Sequence, residues 1–183
     1  RETRLLSRFE SDVARRVHAS LLVTDEEASL FRQRLSPGAQ PQILALGNGI
    51  DTDFFDPAGM PPAPEMAKKG PHLTFTGQMD YPPNVEAVRW FASDILPRIR
   101  ERHKKARFAI VGRNPTDAVK ALACDSVIVT GEVDDVRGWL AAASVAVAPL
   151  KLARGIQNKV LEAMAMALPV VATPSAAEGI DHD

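Results

Sequence analysis

A single cysteine, no apolar run long enough to cross a bilayer and almost no charge excess remove several function classes from this 183-residue chain. Cys124 has no intramolecular partner, so the fold cannot rest on a disulfide. Set in an apolar segment, it reads as a small core residue suited to a reducing compartment. A membrane span needs about 18 consecutive apolar residues, and no run approaches that. A formal net charge of -1 gives no electrostatic case for nucleic acid or an anionic membrane. The basic cluster Arg98, Arg100, Arg102, Lys104, Lys105 and Arg107 lacks interleaved aromatics and falls at a helix end, where cations complement the dipole, so it reads as solvated surface. There is no P-loop, no Gly-x-Ser-x-Gly elbow and no His-Glu-x-x-His, and His18, His72, His103 and His182 have no metal-ligand spacing. No metal and no cofactor are expected. Arg1 stands where an initiator methionine would, so the native N-terminus and any targeting segment are expected upstream.

What is present is enough to bury a core: 45% of the residues are hydrophobic, which fits one domain plus part of another. Leu5, Leu6, Phe9, Val13 and Val17 recur at near-helical intervals and predict an amphipathic helix over residues 1–18. Leu21 to Val23 predict a strand, and Thr24 with Glu27 forms a capping box for a second helix reaching about Arg34, stopped by Ser36, Pro37 and Gly38. Ile43 to Leu46 predict another strand. Gly47-Asn48-Gly49 follows it, but no third small residue and no helix come next, so a dinucleotide fingerprint is rejected. The run from Pro57 to Pro71, rich in Pro, Ala and Gly, reads as linker or surface loop.

Beyond it the pattern becomes regular. Strands are predicted at His72–Thr76, Arg107–Val111, Ser126–Thr130, Val145–Ala148 and from Val170, each separated from the next by an amphipathic helix. Asn84 is expected to cap the longest of these helices, and Pro97 to kink or break it. This alternation specifies an α/β fold with a doubly wound parallel sheet, in which ligands bind beyond the carboxyl ends of the strands. Gly77, Gly112 and Gly131 fall at those ends and also serve as ordinary turn residues.

The segment Arg154–Thr173 concentrates the candidate chemistry. Val160, Leu161, Met164, Ala165 and Leu168 share one helical face, while Lys159 and Glu162 lie together near the first turn. The helix start, with free N–H groups and the positive dipole end, suits an anion beside Lys159, and Glu162 can accept hydrogen bonds from sugar hydroxyls. Taken alone, Lys159 and Glu162 read first as an exposed i,i+3 ion pair.

Three separated runs resemble, in order, the family 4 retaining glycosyltransferases of the GT-B fold. NGIDTDFFDP at Asn48–Pro57 resembles the segment joining the two domains, LTFTG at Leu73–Gly77 resembles the first strand and donor loop of the C-terminal domain, and LEAMAMALPVVAT at Leu161–Thr173 resembles its nucleotide-sugar signature. DEEASLF at Asp25–Phe31 resembles the end of the acceptor domain, and GIQNKVLEAMA is similar to sugar transferases of exopolysaccharide loci, including those associated with exosortase systems. The resemblance implies a Rossmann-like donor domain over 71–183, truncated at its C-terminus, an interdomain linker over 48–70 and a remnant of the acceptor domain over 1–47.

It further implies that Glu162 holds the ribose, that Lys159 with the backbone of Ile156, Gln157 and Asn158 faces the diphosphate, that Gly77 admits the donor, and that Val133 contacts the base. Two departures stand out. Arg154, beside Gly155, occupies the position of a second glutamate that usually faces the sugar, and Gln78 with Pro82 and Pro83 replaces the usual Arg and Lys clamp. An arginine cannot accept hydroxyl hydrogen bonds, so Arg154 and Lys159 are expected to supply the missing positive charge instead.

The implied activity is metal-independent transfer of a sugar from a nucleotide diphosphate sugar to a hydroxyl of a glycan or lipid-linked acceptor, with retention, in the cytoplasm or at the inner face of the membrane. Any membrane contact would come through the acceptor domain, and the isolated 183-residue piece is expected to bind nucleotide without transferring sugar. A nucleotide-sugar epimerase of the same architecture and a non-enzymatic α/β binding module are the alternatives.

Overall fold

The structure is a computed structural model that describes residues 2–35, 41–67 and 70–181. Ser36, Pro37, Gly38 and His182 lie outside the described residues. The chain divides into two compact units, Arg1–Gly49 with Glu178–Asp183, and Ile50–Ala177.

The first unit contains α1 (Glu2–Arg16), β1 (Ala19–Leu22), α2 (Asp25–Arg34) and β2 (Gln42–Ala45). β1 and β2 pair in parallel, with Ala19 opposite Gln42 and Leu22 opposite Ala45. Thr24 caps α2 as its sequence predicts, its hydroxyl accepting from the Glu27 N–H at 3.1 Å. Arg32 on α2 reaches across to donate to the carbonyl of Ile43 at 2.6 Å and fastens the helix to β2. α1 forms as expected, but its buried positions are Ser11 and Ala14. The stripe Leu5, Leu6, Phe9, Val13 and Val17, expected to be the apolar face of the helix, is exposed instead.

The second unit is built on a five-stranded parallel sheet, order β5-β4-β3-β6-β7. Its strands are β3 (His72–Thr76), β4 (Arg107–Val111), β5 (Val127–Val129), β6 (Val145–Ala148) and β7 (Val170–Ala172). Between β3 and β4 run α3 (Pro82–Trp90), a π-helical turn (Phe91–Ile95) and α4 (Leu96–Arg102); α5 (Asp117–Lys120), α6 (Arg137–Ala141) and α7 (Asn158–Ala165) follow the next strands, and α8 (Pro174–Ala177) follows β7. Both sheet faces are covered, and the alternation along β4 shows it. Phe108 packs its ring on Phe91, with centroids 4.5 Å apart, while Ala109 and Val111 join Trp139 of α6 in a separate apolar cluster. Phe75, Phe108 and Ile110 have no exposed surface, and burial stabilises each by about 1.5–3 kcal/mol.

Two local expectations are corrected. Asn84 does not cap a helix: Tyr81 is the N-cap, Pro82 and Pro83 start the first turn, and Asn84 is buried inside α3. Cys124 is exposed, its thiol 3.4 Å from the Ser126 hydroxyl, because the residues around it form a turn rather than a strand. The run from Ile50 to Met66 belongs to the second unit, where Phe55, Ala63 and Met66 are buried against α6 and the sheet. Arg137 clamps this run: its guanidinium lies 3.8 Å from the Phe54 ring centroid and donates to the Phe54 carbonyl at 2.8 Å. Asp135 holds that guanidinium from the other side, accepting from Nη2 at 2.6 Å, and the contact keeps the Asp135 carboxyl below its ordinary pKa.

Candidate functional site

A cavity of about 660 Å³ opens at the carboxyl ends of the strands, beside the place where the strand order changes direction between β3 and β6. Its lining comes from four stretches: Thr76, Gly77 and Gln78 at the end of β3; Val111, Gly112 and Arg113 at the end of β4; Glu132, Val133 and Val136 between β5 and α6; and Ile156, Asn158, Lys159 and Glu162 at the start of α7. Asn84 of α3 completes it.

Lys159 is the best-anchored of these side chains. Its ammonium donates to Asn84 Oδ1 at 2.8 Å and stands 4.6 Å from the centroid of the buried Phe75 ring. The Asn84 amide is fixed in turn by donating from Nδ2 to the Gln78 carbonyl at 2.9 Å. Gly77 makes room for this pair. A Cβ there would meet Asn84 Nδ2 at 2.9 Å and Lys159 Nζ at 3.4 Å, so the residue expected to admit a ligand also admits the two polar heads. The exposed ion pair that the spacing allowed is not what forms, since the short contact of Lys159 goes to Asn84 rather than to Glu162.

Burial lowers the Lys159 pKa to about 8, against a smaller opposing pull from Glu162. Burial likewise raises the Glu162 carboxyl above its ordinary value, with attraction to Lys159 as the counterweight. Each of these two groups is thus desolvated in its charged form, and among the described residues neither has a close ion-pair partner. Between pH 8 and 10.5 the unfolded chain binds more protons at Lys159 than the folded one, so this lysine makes stability rise with pH across that window.

Of the residues singled out by sequence, Gly77, Gln78, Val133, Ile156, Asn158, Lys159 and Glu162 converge on the cavity. Arg154, Gly155 and Gln157 do not line it. Gln157 instead closes the preceding turn, its Nε2 donating to the carbonyls of Arg154 and Gly155 at 3.3 Å each, and Arg154 is exposed. The second cation of the cavity is Arg113, whose Nη2 donates to Gln78 Oε1 at 3.2 Å. Asn84 and Arg113 carry no periodic or spacing signal that would have marked them, because each becomes a cavity residue only through strand order. Among the described residues, no group of three His, Cys, Asp or Glu side chains is placed to hold a metal ion. No helix among them is long and apolar enough to cross a membrane.

A family model described as Glycosyl transferases group 1 matches residues 70–183, more than half of the chain. No curated protein sequence matches the chain. Among solved structures, HepE of Anabaena in complex with UDP and glucose is similar over 96% of this chain and 50% of its own, at 17% identity and a TM-score of 0.69. A glycosyltransferase from Rickettsia africae is similar over 96% of this chain and 50% of its own, at 16% identity and a TM-score of 0.70. Sucrose-phosphate synthase from Thermosynechococcus elongatus is similar over 97% of this chain and 45% of its own, at 17% identity and a TM-score of 0.68. The chain therefore spans about half the length of these structures. At such identities the likeness is one of fold, and the five-stranded parallel sheet is that of a GT-B C-terminal domain.

Proposed function

Because the chain belongs to the glycosyl transferases group 1 family, we propose that its second unit is the donor-binding half of an enzyme that moves a sugar from a nucleoside diphosphate sugar to a hydroxyl acceptor. The observation that carries this reading is the convergence of Lys159, Arg113 and Glu162 on one cavity. Glu162 accepts the ribose hydroxyls. Lys159, Arg113 and the positive end of α7 face the diphosphate and stabilise the negative charge that grows on it as the sugar leaves. We further propose retention at the anomeric carbon, as the motif resemblance implies, and an acceptor that is a glycan or lipid-linked sugar of polysaccharide synthesis. The solved relatives are about twice as long as this chain, and transfer needs both walls of the cleft, so the chain alone is expected to bind donor without turnover.

Titration calorimetry of the chain with uridine, guanosine and adenosine diphosphates, and with the matching monophosphates and nucleosides, tests the reading. One diphosphate should bind tighter than its monophosphate, and Arg113→Ala should weaken the diphosphate about three- to tenfold while leaving the nucleoside unchanged. A diphosphate that binds no better than its nucleoside would remove the donor assignment.

Lys159 gives the same site a pH signature. A diphosphate restores its charge, so binding takes up a proton near pH 8 and affinity falls up to about tenfold per unit of pH above that value. Calorimetry at pH 7 and pH 9, in buffers of different ionisation enthalpy, should show the uptake in the native chain. Lys159→Arg, which does not titrate in this range, should bind with little change between the two.

A further inference from the structure

We propose that Asn84 is a positioning residue of the cavity: its uncharged amide holds the Lys159 ammonium out over the end of the sheet, apart from Glu162, so that the lysine meets a diphosphate with its charge intact. The ligand half of this inference rests on the transferase reading; the hold of Asn84 on Lys159 does not.

The two side chains start from opposite faces of the sheet. Thr74 lies opposite Ala109 of β4 and Ala146 of β6, and that face is packed by Trp139 of α6 and Ala163 of α7. Phe75 lies opposite Ile110 and points, with Phe108, to the other face, where Phe91 follows α3. Lys159 of α7 nevertheless brings its ammonium 4.6 Å from the Phe75 ring centroid, and a Cβ on Gly77 would lie 3.4 Å from it. The side chain therefore crosses the end of β3 from one helix layer to the other, where Asn84 of α3 receives it at 2.8 Å. Asn84 is held too firmly to follow the lysine back. It is buried, its Nδ2 donates to the Gln78 carbonyl at 2.9 Å and its backbone N–H to the Tyr81 carbonyl at 3.0 Å.

The residue type matters as much as the place. Without this acceptor, a lysine three positions before Glu162 has a helical neighbour to fold back on, and the pair would neutralise both groups. With a carboxylate instead of the amide, the ammonium would be paired before any anion arrived. An amide oxygen accepts the hydrogen bond and adds no charge. The other charged groups that share the cavity with Lys159 are Arg113 from the end of β4 and Glu132 from the connection of β5 to α6. Glu162 is the one whose attraction acts on the Lys159 titration, and burial outweighs it. On the side of the sheet, Lys159 shares a smaller cavity with Thr74 and Thr76, whose hydroxyls bring no charge.

The native chain, Asn84→Asp, Asn84→Ala and Lys159→Met, with isotope-labelled lysine side chains followed by NMR, test both halves; Lys159→Met identifies the Lys159 signal. In the free native chain this signal should titrate near pH 8, and in Asn84→Asp about one pH unit higher or more. With a nucleoside diphosphate, Asn84→Ala should weaken binding about fivefold, in line with one hydrogen bond, yet by less than about twofold in the Lys159→Met background. A folded Asn84→Asp whose Lys159 titrates as in the native chain overturns the proposal. So does an Asn84→Ala loss that is equal in the two backgrounds, which would mark the amide as a strut of the β3–α3 loop and nothing more. If Asn84→Asp does not fold, the Asn84→Ala cycle decides alone. Failure of every diphosphate to bind the native chain removes the donor reading, while the Lys159 titration still decides whether Asn84 holds it.

Discussion

Glu162→Ala is expected to lower the affinity of the chain for its nucleoside diphosphate about 10- to 100-fold while leaving the fold as stable as before or more so. The carboxylate lines the cavity proposed for the donor from α7, and burial has raised its pKa, so keeping it ionised costs the empty protein free energy. That cost is offset only when hydroxyl donors arrive. A charge-assisted hydrogen bond contributes about 1.5–3 kcal/mol, and two of them to a ribose account for the larger end of the range. The sign of the stability effect follows from the same shift. A carboxyl whose folded pKa is raised is more easily ionised in the unfolded chain, so it works against the fold as pH rises through the window above its ordinary value. Removing the charge at neutral pH relieves that term. Calorimetry for binding and thermal unfolding for stability, both also on Glu162→Gln, give the check: the amide keeps the shape and loses part of the acceptor capacity, so it should fall between native and alanine. Unchanged affinity in Glu162→Ala would end the ribose assignment.

The largest expected loss of stability comes from Gly112→Ala. Gly112 has φ +149, and a Cβ built on it would run into the carbonyl of Gly77 on the neighbouring strand end. That obstacle is backbone, which cannot swing aside as a side chain would. It is also pinned, since Gly77 N–H donates to the Val111 carbonyl at 3.0 Å and Gly112 N–H to the Gly131 carbonyl at 3.1 Å. Overpacking and backbone strain together amount to about 2–4 kcal/mol, or a melting temperature lower by about 5–15 °C for a domain of this size. Donor binding should suffer in the molecules that remain folded, because the loop pushed away carries Gln78, the partner of both Asn84 and Arg113. Gly131→Ala is the matched control. It has φ +74 but open space where the methyl would go, so it should show the strain alone, about 1 kcal/mol. A Gly112→Ala protein that melts no lower than Gly131→Ala would mean that the two strand ends can part freely.

Local patterns carried much of this structure. β3, β4 and β6 span the residues expected of them, because a short parallel strand buried on both faces reads as a mainly apolar, β-prone stretch bounded by turn residues. The Thr24 cap was legible because capping is a contact across three residues. Misreadings arose where a residue had two local uses. Asn84 is a good N-cap by type, but Pro82 and Pro83 take the first turn and leave its amide free to face inward. Cys124 is apolar by company and exposed by geometry.

For the site, the sequence alone determined that an α7 bearing Lys159 and Glu162 on one face would follow a glycine-containing loop, since helical spacing fixes which side chains are neighbours within a turn. It could not determine what Lys159 would touch. Its partner Asn84 is 75 positions away, and Arg113 meets Gln78 across 35. Those distances close only because the order β5-β4-β3-β6-β7 sets the ends of β3, β4 and β6 side by side, a choice made by the burial of a whole sheet between helices. Tertiary structure therefore decided which cations line the cavity, passing over Arg154 and bringing in Arg113.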